Sequence, residues 1–232
     1  MTNKAAPKLL DAIEIETGKN PAASIIWMHG LGADGNDFVP IVGELGLASG
    51  PAVRFVFPHA PMRPVTINNG YVMRAWYDVS FGDLEGKSRR ADEKGVRESQ
   101  ALITALIERE EKRGVAPGKV LLAGFSQGGA IALHTGLRHP QRLAGILALS
   151  TYLPLAESLP DEGSPANKST PIFMAHGVFD PVVPLMMGAG SMTHLTTLGY
   201  SVEWHQYPMQ HSVCPQEIGD SASWLGKILR GS

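Results

Sequence analysis

Gly124-Phe125-Ser126-Gln127-Gly128 follows the apolar run Val120-Leu121-Leu122-Ala123 and opens a segment with helical spacing that runs to Arg138. A serine at the centre of G-x-S-x-G, between a buried strand and a helix, is a nucleophile elbow, in which a sharp turn holds the hydroxyl clear of the sheet. Glycines on either side remove the Cβ atoms that would crowd so tight a turn. The bare pattern is weak in a chain with 26 glycines; the strand before it and the helix after it make it specific. The competing readings are a glycine-rich turn and a nucleotide-binding loop.

A serine hydroxyl is a poor nucleophile until an imidazole accepts its proton, and that imidazole needs a carboxylate to fix its tautomer and stabilise its cation. Two further stretches end in suitable groups: His176-Gly177-Val178-Phe179-Asp180 and Tyr207-Pro208-Met209-Gln210-His211. Each follows an apolar run, and the chain order Ser126, Asp180, His211 is one that strand-to-helix elbows use. His176 is the rival base, but it precedes the acid within one loop and is expected to pack or hydrogen-bond structurally. Asp220 is the alternative acid. His134, His139, His194 and His205 have no comparable placement, and neither metal-ligand spacing nor a cysteine cluster points to a metal site.

The tetrahedral intermediate of such a reaction needs donors for its oxyanion. One is expected at the Gln127 backbone amide, at the helix N-terminus, where unpaired N–H groups and the helix dipole favour an anion. The other is expected at the Leu31 amide, in His29-Gly30-Leu31-Gly32-Ala33-Asp34-Gly35, although this stretch also reads as an ordinary turn after a strand. His29 is expected to be structural.

The elements that must position these groups alternate along the chain. Apolar runs with strand length occur at residues 24–28, 53–57, 119–123, 143–149, 171–175 and 201–207, and segments with helical spacing at 37–48, 89–113, 127–138, 184–198 and 215–229. Alternation of this kind predicts an α/β fold, a mostly parallel sheet with helices on both faces, because parallel neighbours need crossover connections. Residues 10–16 predict an antiparallel edge strand. Two long connections, 58–88 and 150–170, are expected to be functional. In an open parallel sheet, ligands bind beyond the carboxyl ends of the strands, which is where all three candidate residues fall.

The chain has 232 residues, 44% of them hydrophobic, and no shift of composition marks a linker, so residues 1–232 read as one domain. A net charge of −2 without a basic cluster argues against nucleic acid and anionic membranes as partners. Residues 1–8 lack the apolar core of an export signal, and no run suits a membrane span, so the reading is a cytoplasmic protein without integral membrane association. The single cysteine, Cys214, fits a reducing compartment, and a buried, inert thiol is preferred to a reactive one.

Taken together, the stretch from His29 to Phe38, Gly124-Phe125-Ser126-Gln127-Gly128-Gly129, His176-Gly177-x-x-Asp180, Tyr207-Pro208-Met209-x-His211, Pro61-x-x-Pro64-Val65-Thr66-x-Asn68-x-Gly70 and Ala75-Trp76-Tyr77-Asp78 resemble the phospholipase/carboxylesterase family over nearly the whole chain. The resemblance implies an α/β-hydrolase fold, a triad of Ser126, Asp180 and His211, oxyanion amides at Leu31 and Gln127, no cofactor, and action on esters or thioesters of short to medium acyl chains. It leaves a homodimer open. Many members have glycine before the histidine; Gln210 stands here instead, and would be strained if that position required a positive φ.

Substrate walls are expected from Trp76, Tyr77 and the run Pro184-Leu185-Met186-Met187, although Leu185, Met186 and Met187 also suit the core face of a helix. The resulting reading is a serine carboxylesterase for small to medium acyl esters, with a small-molecule ester or thioester substrate. An acyl-protein thioesterase or lysophospholipase is the alternative within the same chemistry, and a non-catalytic hydrolase-fold binding protein the alternative outside it. A dinucleotide-binding oxidoreductase is disfavoured, because G-x-S-x-G-G lacks the G-x-G-x-x-G spacing and comes late in the chain.

Overall fold

The computed structural model describes residues 9–47, 50–80 and 92–231. The expectations for residues 1–8, for the helix ends at 48 and 89–91, and for 81–88 of the first long connection lie outside the described residues. In chain order the elements are β1 (Ala12–Glu16), β2 (Ala23–Met28), α1 (Ile41–Glu44), β3 (Val53–Pro58), β4 (Met62–Val65), β5 (Tyr71–Arg74), α2 (Glu93–Lys112), β6 (Val120–Phe125), α3 (Gln127–Arg138), β7 (Gly145–Leu149), α4 (Leu159–Glu162), β8 (Ile172–Gly177), α5 (Leu185–Thr197), β9 (Val202–Tyr207) and α6 (Pro215–Gly231).

Seven strands form one sheet in the order β1-β3-β2-β6-β7-β8-β9. β1 pairs antiparallel with β3, and every other pairing in this sheet is parallel. Because side chains alternate across a strand, each strand feeds two cores. Ile26, Met28, Leu122, Ile146 and Met174 meet Val96 and Ile103 of α2 and Ile131 and Leu133 of α3 on one face. Ile25, Trp27, Leu121, Leu147 and Phe173 meet Ile41 of α1 and Trp224 and Leu225 of α6 on the other. β2, β3, β7 and β8 are buried along their whole length, which is why they read as continuous apolar runs rather than alternating ones.

Two elements differ from expectation. The helix expected over 37–48 is only the single turn α1, bounded by Pro40 and followed by Gly46 at φ 58°. Glycine and proline at this spacing stop propagation. The connection 58–88 contains a two-stranded hairpin, β4 with β5, closed through Asn69 and Gly70 at φ 54° and 76°. Pro64 is tolerated in it because, among the described residues, the ribbon has no further strand to pair with.

This hairpin returns the chain to the edge of the site. Arg74 O accepts the Gly32 N–H at 2.9 Å, and Arg74 Nη1 donates to Ala60 O at 2.8 Å. Asp78 fastens its base, accepting from both the backbone N–H and the hydroxyl of Thr66, and Asp92 Oδ2 accepts the Asp78 N–H while Oδ1 caps α2 at Gly95.

Candidate active site

Ser126 joins β6 to α3 with φ 54° and ψ −122°, a conformation a non-glycine residue adopts only under external constraint. The constraint is visible on both sides of the residue. Its N–H donates to Leu149 O at 2.8 Å, and its carbonyl accepts from Thr151 Oγ1 at 2.7 Å and from Ala130 N. The flanking glycines provide clearance rather than unusual dihedrals. A Cβ on Gly124 would lie 2.3 Å from the Gly128 carbonyl carbon, and one on Gly128 would lie 2.2 Å from Met28 O, so the start of α3 can rest directly on β6 and β2 only without side chains there.

Ser126 Oγ lies 2.9 Å from His211 Nε2, and His211 Nδ1 lies 2.7 Å from Asp180 Oδ2. A carboxylate only accepts, so Nδ1 carries the proton and the Nε2 lone pair faces the serine. Asp180 is buried, and its other oxygen accepts the N–H groups of Val182 and Val183, both at 2.8 Å, in a turn that the Asp180-Pro181 pair favours. The loops carrying the acid and the imidazole are joined by backbone bonds from Val178 N to Tyr207 O and from Phe179 N to Met209 O. They approach so closely that a Cβ on Gly177 would lie 2.3 Å from Gln210 O. Gln210 itself is not among the residues with positive φ, so glutamine is accommodated without backbone strain at the position where many members of the resembled family have glycine.

Both rival groups are engaged elsewhere. His176 is fully buried, its Nε2 is 2.8 Å from Val183 O and 3.4 Å from Asp180 Oδ2, and burial pushes its imidazole below the ordinary range. Asp220 accepts the Tyr207 hydroxyl at 2.8 Å. Cys214 is half-buried, packed against the α6 side of the core.

Opposite the imidazole, Gly30 packs against Ser126, where an added Cβ would stand 3.5 Å from the serine Cβ, and Gly32 follows at φ 78°. Among the described residues, neither the Leu31 nor the Gln127 backbone N–H has a hydrogen-bond acceptor. His29 anchors this loop. Its Nε2 accepts the Ala60 N–H, its Nδ1 therefore donates to Gly30 O, and burial lowers its pKa to about 4, so it stays neutral. A buried serine hydroxyl facing an imidazole, with two free amides nearby, can attack a carbonyl carbon and hold the resulting oxyanion.

A model of the phospholipase/carboxylesterase family matches residues 10–229. The chain belongs to that family. Acyl-protein thioesterase 1 of Neurospora crassa is 40% identical over 231 residues, covering 96% of this chain and 91% of that protein. Acyl-protein thioesterase 1 of Cryptococcus neoformans is 36% identical over 238 residues, covering 97% and 100%. The crystal structure of Arabidopsis thaliana SOBER1 superposes with a TM-score of 0.81 at 32% identity, covering 89% of this chain and 99% of that one. The protein is therefore a serine hydrolase of the α/β-hydrolase fold, in the class that cleaves carboxylic esters and thioesters.

Within this phospholipase/carboxylesterase framework the expected substrate walls separate. Trp76 has no exposed surface, and its indole donates to His29 O at 2.9 Å, so it supports the Leu31 loop from behind and offers no surface to a ligand. Tyr77 is likewise buried. Leu185 is half-buried at the start of α5, whereas Met186 is 84% exposed. Three contributors to the site escaped the sequence reading. The Gln127 side chain clamps the Trp76-Tyr77 backbone, accepting from Trp76 N and donating to Tyr77 O, both at 2.7 Å. Thr151 holds the serine carbonyl, and the Phe125 ring lies 4.7 Å from the His211 ring. Gln127 and Phe125 fill the variable positions of G-x-S-x-G, where the pattern itself carries no information. Among the described residues no helix is long and apolar enough to cross a membrane.

Proposed function

We propose that the chain, acting as a single domain, is a serine carboxylesterase that hydrolyses small to medium acyl esters through an acyl-enzyme. The observation that carries this reading is the His211 imidazole bridging Ser126 Oγ and Asp180 Oδ2 in one tautomer. In this mechanism Ser126 attacks the acyl carbon as its proton passes to His211 Nε2, and Asp180 holds the ring and stabilises the cation. The Leu31 and Gln127 amides receive the oxyanion, and His211 returns the proton to the departing oxygen or sulfur. Water then repeats the sequence against the acyl-serine and releases the carboxylic acid. No cofactor is required for any of these steps.

A second reading, thioester hydrolysis, is favoured by the two relatives named acyl-protein thioesterase 1. It uses the same residues, because ester and thioester carbonyls pass through similar tetrahedral states and differ in the leaving atom. The sole cysteine supports a reducing, cytoplasmic setting for either activity.

The test is a series of p-nitrophenyl esters of rising chain length beside the matching acyl thioesters, with fluorophosphonate labelling of the wild type and of Ser126→Ala. Turnover and labelling are expected in the wild type and absent in the folded variant. A wild type that neither labels nor turns over any member would favour a non-catalytic binding protein, and an active Ser126→Ala would reject the nucleophile.

A further inference from the structure

The two amides assigned above to the oxyanion come from segments far apart in the chain, the loop after β2 and the first turn of α3. Among the described residues neither N–H is hydrogen-bonded, so neither donor is held by a bond of its own. Their spacing depends on what fixes the backbone around them. The Leu31 loop is held on both sides of its donor. Before it, Gly30 O accepts from His29 Nδ1 and His29 O accepts the Trp76 indole N–H at 2.9 Å; after it, Gly32 N–H donates to Arg74 O at 2.9 Å.

The Trp76 contact leads back to the second donor. The buried side chain of Gln127 accepts the Trp76 backbone N–H through Oε1 and donates to Tyr77 O through Nε2, both at 2.7 Å, a pair of bonds such as a strand edge would offer. From α2, Ser99 Oγ donates to Trp76 O. Trp76 thus has its N–H, its carbonyl and its indole all engaged and no exposed surface, and its ring lies 5.4 Å from that of His29. An unbroken buried path therefore runs from the Gln127 side chain through Trp76 to His29 O, two residues before Leu31. In such surroundings a hydrogen bond is strong and an unpaired partner costly. Methionine has similar length and would fill the same space, so filling space does not account for an amide there.

We propose that the Gln127 side chain is a positioning residue for the oxyanion: acting through Trp76, it sets the Leu31 amide against the amide of Gln127 itself. The proposal rests on the oxyanion roles given above to those two N–H groups and adds the side chain that aligns them. One residue then supplies one donor from its backbone and places the other with its side chain. A brace that only tied the Trp76-Tyr77 segment to α3 would affect stability and would act alike on every substrate. A brace that aligns the donors acts on the developing charge, and so on oxygen in particular, because the larger sulfur of a thionoester is a poorer acceptor for donors spaced for an oxyanion.

The experiment compares p-nitrophenyl butyrate with O-(4-nitrophenyl) thionobutyrate, both read by release of p-nitrophenolate, in the wild type, Gln127→Met, Trp76→Phe and the double variant, with urea unfolding to establish that each is folded. Trp76→Phe removes the indole N–H and leaves Gln127 in place, so it carries the test alone if Gln127→Met does not fold. The wild type is expected to prefer the oxoester. Each single variant is expected to lose at least about tenfold in kcat on the oxoester with KM within about threefold of wild type, and to lose much less on the thionoester, so that the preference contracts. The double variant is expected to be little worse than the weaker single one, because both substitutions break one path. Equal slowing of the two esters, losses that multiply in the double variant, or an undiminished kcat in a folded Trp76→Phe would each overturn the positioning role and leave the hydrolase reading standing. A folded wild type inactive on both esters would remove the proposed mechanism, and this role with it.

Discussion

Glu217 sits in the first turn of α6, just beyond the His211 loop, with no exposed surface and, among the described residues, no hydrogen-bond partner for either carboxyl oxygen. Burial pushes its carboxyl from 4.5 up to about 8. Well below pH 4.5 the group is protonated in the folded and unfolded chains alike and contributes no pH dependence. Between 4.5 and 8 the folded chain keeps a proton that the unfolded chain has lost, so stability falls as pH rises, and above 8 both forms are ionised and the loss is complete. At about 1.4 kcal/mol per pH unit the whole loss is roughly 5 kcal/mol, of which about 3.5 kcal/mol falls between pH 5 and pH 8. That is a large share of the roughly 5 to 15 kcal/mol that holds an ordinary domain together. Glu217→Gln keeps the shape and removes the titration. The assay is urea unfolding followed by tryptophan fluorescence at pH 5, 6, 7 and 8 for both proteins. The gap in unfolding free energy is expected to widen in favour of the variant by about 3.5 kcal/mol across that range. Any fixed cost of the buried amide shifts the whole series and leaves the slope intact. Tyr207, Asp220 and Cys214, the titratable neighbours on this side, are present in both proteins and cancel in the difference. Two stability profiles that run parallel from pH 5 to pH 8 would refute the reasoning.

Three further outcomes follow from the site. Asp180→Asn removes the acceptor that fixes the His211 tautomer and is expected to lower kcat by up to about 10⁴ on p-nitrophenyl butyrate; a loss under tenfold would mean that another group orients the ring. His176→Leu deprives Val183 O of its donor and loosens the turn whose Val182 and Val183 amides hold Asp180, so kcat should fall with KM little changed and stability should drop by about 1–3 kcal/mol. His176→Gln, which can still donate, should recover part of both, and equal damage from the two substitutions would count against that role. Gly128→Ala drives a Cβ into the Met28 carbonyl, with no flexible side chain to yield, and is expected to cost about 3 kcal/mol or more in a thermal or urea melt; a variant within about 0.5 kcal/mol of wild type would show that α3 can retreat.

How far the chain could be read in advance depended on whether a feature was periodic and local or arose from distant backbones meeting. Strands β2, β3, β7 and β8 were legible as buried apolar runs, and α2 and α6 as stripes with helical spacing. The β4–β5 hairpin was not, because Pro61, Pro64 and a ribbon of four residues a side look like loop, although Asn69-Gly70 was a usable turn signal. Trp76 was placed near the right residues and given the wrong surface. An aromatic beside a nucleophile suggests a wall, yet nothing in the sequence indicates that its N–H is taken by His29 O.

The elbow makes the same point more sharply. The glycines of G-x-S-x-G drew attention to Ser126 for the sake of a tight turn, yet the unusual dihedral belongs to the serine itself, held by Leu149, Thr151 and Ala130. Gly124 and Gly128 instead remove the atoms that would keep α3 off β6 and β2, and Gly177 does the same between the Asp180 loop and the His211 loop. In each case the spacing of the motif records a clearance between segments far apart in sequence. The motif therefore singles out Ser126 while leaving unstated the contacts that hold it towards His211. Substitutions at these glycines should accordingly damage the alignment of Ser126 with His211 before they damage the sheet, because the backbones they hold together are the ones that carry the two side chains.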